Sequence, residues 1–286
     1  MTYVILDLEW NGARSEKLGG YFNEIIEIGA VRLSDDRRVE ARFDAYIRPV
    51  VSRKLTRLVT NLTGITDDQV RRGVSFRKAM EDLCLFVGKD AVVMTWSNTD
   101  LLVLMENCQY FLQDQTIPFL TAYLDLQAYA QARLKLGSAQ QVALGKMAEL
   151  LDLNSEEMEL HHAIDDSVLA AAVFRRVYEL FSFRKAVFRV DEEFYRRLTF
   201  KPSFIREIDD PLIRRSHLRF SCETCHRNMK RTGEWQFQHR YFTAPFHCAH
   251  CGVDYIGRVQ AKRKFDSVDI KKRLIRKTAE VTAEEG

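Results

Sequence analysis

The run Tyr3-Val4-Ile5-Leu6-Asp7-Leu8 constrains the fold more than any other stretch of the sequence. Mostly apolar and rich in β-formers, it reads as a central strand covered on both faces. Residues 24–34 and 39–48 read as the next two strands, joined by the polar turn Asp35-Asp36-Arg37. A fourth strand is expected over 91–96 and a fifth over 121–126. Thr66-Asp67-Asp68 marks a helix start, and Ser75 caps an amphipathic helix ending near Gly88. Further helices are expected over 100–113, 140–151 and 163–181, the last from Val168, Ala172, Val177 and Leu180 at helical spacing. Early strands joined by short turns, then alternating strands and helices, indicate an α/β fold: a mixed five-stranded sheet flanked by helices.

The 286 residues suit one large core and a smaller module. Residues 1–181 are expected to hold the core. Residues 182–216, charged and carrying Pro202 and Pro211, are expected to be a linker or peripheral helices. A C-terminal module is expected over 217–277 and a disordered tail over 278–286. The net charge of +3 hides an asymmetry. Residues 1–180 carry 20 Lys or Arg against 26 Asp or Glu, a net of −6, whereas residues 181–277 carry 23 against 11, a net of +12. A basic segment joined to an acidic one suggests a polyanion partner, because phosphate neutralisation by Lys and Arg is the generic source of nucleic-acid affinity. A basic surface that only aids solubility explains the asymmetry equally well. No apolar run reaches the roughly 20 residues needed to span a bilayer, and MTYVILDLEW lacks the basic start of a signal peptide. The chain is therefore expected to be cytoplasmic, with no membrane partner.

Asp7 and Glu9 stand two apart on the first strand, which points both carboxylates to one face. A charged pair inside such an apolar run is costly to bury, and a bound divalent cation is the simplest compensation. Taken alone, Asp-x-Glu more often marks a solvated strand end. Asp100 falls where the fourth strand passes into a helix, a common address for functional groups in open α/β sheets. Its plainer reading is a helix N-cap. His161-His162-Ala163-Ile164-Asp165-Asp166 precedes an apolar helical run, so that a His in the turn and a carboxylate on the first turn can face one cleft. Asp165 and Asp166 would also stabilise a helix N-terminus whatever the function.

In this order and spacing, Asp7-x-Glu9, Asp100 and His161-x-Ala163-x-x-Asp166 resemble the DEDDh exonucleases of the DnaQ-like, ribonuclease H-fold superfamily. Three further features resemble its ERI-type branch: Glu24-Ile-Ile-Glu27-Ile-Gly29-Ala-Val, Leu62-Thr63-Gly64-Ile65, and Trp96 four residues ahead of Asp100. The resemblance covers about residues 1–180. Ser97 stands where the branch often has Gly, and Trp10-Asn11 replace small residues, departures that bear on substrate fit more than on catalysis. The resemblance implies a ribonuclease H-like sheet and two-metal hydrolysis of phosphodiesters. Asp7, Glu9 and Asp166 would hold the cation that activates water, with Asp7 bridging to a second cation held mainly by Asp100. His161 would be the general base, with His162 its rival, a role suited to a pKa near neutrality. Hard oxygen ligands favour Mg²⁺ or Mn²⁺. Leu8, Trp10 and Asn11 hold the positions that usually grip the terminal nucleotide, and Trp10 would either stack on a base or belong to the core.

Cys222-x-x-Cys225 and Cys248-x-x-Cys251, with 22 residues between them, form the two knuckles of an expected Cys₄ zinc site in a zinc-ribbon-like module. Four thiolates close the tetrahedron, so this zinc would be structural. His226, His247 and His250 flank the knuckles and could replace a ligand, but four Cys suffice. Lys230, Arg231 and Arg240 alternate with Trp235, Phe237, Tyr241 and Phe242, and a basic run follows at Arg258 and Lys262-Arg263-Lys264. Basic residues interleaved with aromatics suit single-stranded nucleic acid, although a small module needs at least half of its aromatics for its own core. The expected function is a 3′–5′ exonuclease on single-stranded nucleic acid. RNA is favoured through the ERI-type resemblance alone, with a possible ribonucleoprotein partner for the zinc module. The alternatives are a DNA-trimming repair nuclease, a ribonuclease H-type endonuclease, and a binding protein with a vestigial core.

Overall fold

The computed structural model describes residues 2–137, 140–153 and 162–277. His161 and the expected tail at 278–286 lie outside the described residues. The chain divides into two compact units, Met1–Leu198 and Thr199–Gly286.

The N-terminal unit is built on strands β1 (Thr2–Ser15), β2 (Gly20–Leu33), β3 (Val39–Tyr46), β4 (Ala91–Thr95), β5 (Ala122–Asp125) and β6 (Phe188–Arg189), in the spatial order β3-β2-β1-β4-β5-β6. β1 runs antiparallel to β2 and parallel to β4, so the sheet is mixed as expected. All five expected strands are present, and β6 adds a two-residue edge pairing with β5. Alternation along β1 explains why the strand needs cover on both faces. Val4, Leu6 and Leu8 enter one core with α3 (Phe76–Val87) and α4 (Thr99–Leu112). Tyr3 and Ile5 enter the other with α5 (Leu126–Arg133), α6 (Leu144–Leu150), α7 (Ala163–Val177) and α8 (Leu180–Ala186). α1 (Arg57–Thr63) and α2 (Asp67–Arg72) cover a third, smaller cluster of Ile26, Ile65 and Val70. Among the described residues no helix is long and apolar enough to cross a membrane.

Two expectations change and a third narrows. β1 continues to Ser15 rather than stopping at Leu8: beyond Trp10 it alternates buried Asn11, Ala13 and Ser15 with exposed Gly12 and Arg14, residues too small or polar to show as an apolar run. The helix expected over 163–181 ends at Val177, because both Glu179 carboxylate oxygens take the amides of Phe181 and Ser182 and start α8. Of the two readings of residues 182–216, linker or peripheral helices, the structure has helices in the first half and chain packed on both cores. β6 and α9 (Glu192–Thr199) belong to the N-terminal sheet and core, where Val190, Phe194 and Leu198 pack, while Ile205, Ile208 and Ile213 pack in the C-terminal core.

The C-terminal unit is all β: β7 (Ser203–Phe204), β8 (Lys230–Arg231), β9 (Gln236–Gln238), β10 (Tyr241–Cys248), β11 (Val253–Arg263) and β12 (Val268–Arg276). β10, β11 and β12 form an antiparallel meander; β7 pairs with β11, while β8 and β9 pair with β10. Phe242, Phe246, Tyr255 and Val259 face its core beside Phe220, Cys222 and Cys248.

Candidate active site

Asp7 and Glu9 leave β1 on the face that Tyr3 and Ile5 bury, the side covered by α7. α7 starts at Ala163 and presents Asp166 in its first turn, toward them. Carboxylate oxygens of Asp7, Glu9 and Asp166 all lie within 4.8 Å of one another. Asp100 sits in the first turn of α4, just past the end of β4. It is not the cap of that helix; Asn98 holds the cap position, and the Asp100 carboxylate receives the amide of Leu8 and its own.

Electrostatics sets this cluster apart from a solvated strand end. Burial, then repulsion from Asp100, Asp166 and Glu9, raises Asp7 well above the usual carboxylate range. Burial raises Glu9 to about 8, helped by Asp166, and burial raises Asp100 to about 7. Three crowded oxygens that resist ionisation fit a hard divalent cation, which would supply the missing positive charge. A cation must displace their protons, so the half-saturating Mg²⁺ concentration should fall as pH rises from about 6.5 to about 8.5 in a metal titration followed by activity. Stability should run the other way. These groups ionise at lower pH when unfolded, so the cation-free unit should lose stability between about pH 4 and pH 8, a decline that melting curves without divalent cation would show.

The register that places Asp7 also places its helix. Asp7 lies opposite Gly29 on β2, and a Cβ at Gly29 would come within 2.2 Å of the Ala163 carbonyl carbon and the Ile164 nitrogen. Only glycine lets α7 sit this low on the sheet. The Ser167 hydroxyl donates to the Gly29 carbonyl at 3.0 Å, and the buried Glu27 carboxylate accepts the Ala163 amide at 3.0 Å. Glu27 also faces His162 Nδ1 at 3.4 Å, so one buried acid ties β2 to the start of the helix that carries Asp166. Gly29→Ala should therefore push α7 off the sheet. We expect a stability loss of about 1–3 kcal/mol and an activity loss of about a hundredfold, read by melting and by cleavage of a labelled oligonucleotide.

A cleft of about 800 Å³ opens over the carboxylates. Trp10, Trp96 and Ser97 line it, with Leu58, Val59 and Leu62 of α1. Leu58 and Leu62 are 77% and 52% exposed, an apolar surface available to a ligand. Trp96 is fixed by its indole nitrogen, which donates to the Val142 carbonyl at 3.1 Å. The three positions expected to grip a nucleotide separate. Trp10 and Leu8 border the cleft, but Asn11 is fully buried and does not. Its amide bonds the Lys54 carbonyl and the Thr56 amide, so it holds the segment entering α1. Glu24, 1% exposed, anchors the same segment by accepting the amides of Val50, Val51 and Ser52. Glu24, Glu27 and the α1 wall were not anticipated as parts of the site. Two acids three apart inside an apolar strand were the available signal, since buried carboxylates require donors.

In the C-terminal unit the four cysteine sulfurs lie within 4.8 Å of one another. Cys222–Cys251 and Cys225–Cys248 are 3.9 and 3.6 Å apart, close to the ~3.8 Å edge of a tetrahedron with 2.3 Å zinc–sulfur bonds. The knuckles share one backbone geometry: His226 donates to Cys222 O and Gly252 to Cys248 O, and both residues take positive φ, 60° and 67°. The Cys225 amide, followed by that of Thr224 and the Tyr255 hydroxyl, lowers the Cys222 thiol to about 5, while the crowding of the four sulfurs raises Cys251 to about 12. The tetrad could hold zinc with no open position.

The sequence profile described as "Exonuclease" (RNase_T) matches residues 4–174. The probable 3′-5′ exonuclease KapD of Bacillus subtilis is 33% identical over 181 residues, 62% of this chain and 84% of its own length. The PolC-type DNA polymerase III of Thermotoga petrophila is 29% identical over 179 residues, which make up 63% of this chain but 12% of the polymerase. Among solved structures, the nuclease domain of 3′hExo, a DEDDh family member bound to rAMP, has a TM-score of 0.53 at 24% identity, covering 61% of this chain and 90% of that domain. The N-terminal sheet thus has the ribonuclease H-like form expected of it.

Proposed function

The chain belongs to the exonuclease family and carries a 3′-5′ exonuclease domain of the DEDDh kind, and on that premise we propose that it trims single-stranded nucleic acid, RNA in preference to DNA, with Mg²⁺ or Mn²⁺. The observation that carries this is the meeting of the Asp7, Glu9 and Asp166 carboxylates within 4.8 Å beneath a cleft with aromatic and aliphatic walls. Divalent cations bound there would activate water and stabilise the charge that develops on phosphate and leaving oxygen. Asp7, Glu9 and Asp166 would hold one cation, and Asp7 and Asp100 the second. His161, two residues before Ala163, is the proposed general base, a role drawn from its spacing to Asp166. Trp10 and Leu62 offer an apolar seat to a terminal base, and Trp96 is locked in place beside Asp100.

The preference for RNA rests on the ERI-type features Glu24–Val31, Leu62–Ile65 and Trp96; similarity to PolC-type DNA polymerases supports the DNA alternative. Incubating the protein with 5′-labelled single-stranded RNA and DNA, with Mg²⁺, Mn²⁺ or neither, separates these. A cation-dependent ladder shortening from the 3′ end, faster on RNA, is the expected result. Faster shortening of DNA would assign a repair or proofreading substrate instead. No cleavage of either would leave nucleic-acid binding as the working activity. We place zinc in the cysteine tetrad as a structural ion, in a cytoplasmic protein whose thiols stay reduced.

A further inference from the structure

The C-terminal sheet has two faces of opposite chemistry. On β10 and β11, Phe242, Phe246, Tyr255 and Val259 point into the core. The residues between them point outward, and strand pairing fixes which of them meet. Arg258 lies opposite Thr243 on β10 and Arg273 on β12, Gln260 opposite Lys271, and Lys262 opposite Phe204 on β7 and Asp269 on β12. Tyr241 shares the Thr243 side of β10, with Gln238 and Gln236 beside it on β9. None of these side chains is buried.

Within this face the cations sit against the rings. The Arg258 guanidinium lies 4.4 Å from the Tyr241 ring centroid, and Phe204 has Arg240 at 5.1 Å and the Lys262 ammonium at 5.8 Å. Two aromatic rings, Tyr241 with one cation over it and Phe204 with two, thus stand on one open antiparallel sheet. Five cations share the face with two carboxylates, Asp269 and Asp254, and Asp254 is already paired with His247 at the far end of β11. A solubilising surface needs charge but has no use for exposed rings. A protein partner of ordinary composition would leave most of the cations without counter-charges. Charge and rings together match a chain of phosphates carrying unpaired bases.

We propose that this outer face, centred on Tyr241, Arg258, Phe204 and Lys262, is a second binding site for single-stranded polynucleotide, separate from the catalytic cleft. Bases stack on Tyr241 and Phe204, while Arg258, Lys262, Lys271 and Arg273 neutralise the backbone between them. The reading does not depend on the nuclease assignment, since it concerns binding by a unit with its own core.

The test uses the full chain with Asp7→Asn and no chelator, so that probes stay intact and zinc stays bound. Fluorescein-labelled oligouridylate and oligothymidylate are titrated by anisotropy over a range of salt concentrations. Tyr241→Ala is expected to weaken binding about tenfold with the salt slope unchanged. Lys271→Gln with Arg273→Gln, at two exposed positions, is expected to flatten the log–log salt slope by about 1.4, or about 0.7 per lost phosphate contact. Retained zinc and an unchanged melt show that each variant is folded; if Tyr241→Ala fails that check, the double variant decides. Parental affinity and slope in the folded variants would overturn the proposal. So would competition by duplex as strong as by single strands, because stacking needs unpaired bases. With Asp7 restored, Tyr241→Ala should slow trimming of long substrates more than dinucleotide cleavage. Equal slowing of both would also overturn it.

Discussion

Asp7→Asn is expected to reduce nuclease activity at least about a thousandfold, or about 4 kcal/mol, while leaving the cation-free protein as stable as its parent or more so. The side chain keeps its shape but can no longer ionise. In the parent, burial opposes the Asp7 charge most, and repulsion from Asp100, Asp166 and Glu9 adds to the penalty. Removing its charge relieves that repulsion when no cation is present to offset it. Activity and stability should therefore move in opposite directions, the pattern of a site that stores unfavourable charge for function. The measurement pairs a cleavage time course with melting curves recorded without added divalent cation. An Asp7→Asn protein that still trims oligonucleotides would place the chemistry elsewhere. One that melts well below its parent would show Asp7 to be a structural acid.

The second large effect lies in the other unit. Cys248→Ser is expected to unfold residues 199–277 and leave the N-terminal unit folded. Structural zinc contributes on the order of 10–16 kcal/mol, comparable to the whole stability of an ordinary domain. Cys222 and Cys248 are buried members of the C-terminal core itself, so losing a zinc ion held there would open that core from within. The N-terminal cores draw on none of these residues. Hydrogen exchange should show protection lost from β7 to β12 and kept across β1 to β5. A strong zinc chelator added to the parent should give the same pattern. Unchanged protection in the C-terminal strands would mean that its small apolar core suffices without metal.

The parts legible in the sequence were those where chemistry and periodicity coincide. Asp7-x-Glu9 in an apolar strand, Ser75 with Gly88 around α3, and the two Cys-x-x-Cys knuckles each name residue types that few environments tolerate. What stayed hidden depends on partners distant in sequence. Asn11 looks like a polar residue at a strand end, and only the approach of Lys54 and Thr56 makes it a buried anchor. α1 is seven residues long, too short for helical periodicity, and shows only through its Thr56 cap and the left-handed Gly64 that ends it. Residues 188–198 are charged enough to resemble a linker, yet Val190, Phe194 and Leu198 give them a face that docks on the core. Glu27 is a carboxylate like any other until Ala163, 136 positions later, supplies its amide.

That sequence distance has a consequence for biosynthesis. The four carboxylates come from positions 7, 9, 100 and 166, and the last rides on a helix that settles only where Gly29 leaves room for it. A nascent chain that has exposed only the first five strands still lacks α7, and with it the third oxygen ligand of the cluster. Emergence of α7 from the ribosome is thus the event that completes the cleft. The enzyme cannot arm itself until that helix has been synthesised, and a product truncated before Ala163 would lack the Asp166 ligand and be inert as a nuclease.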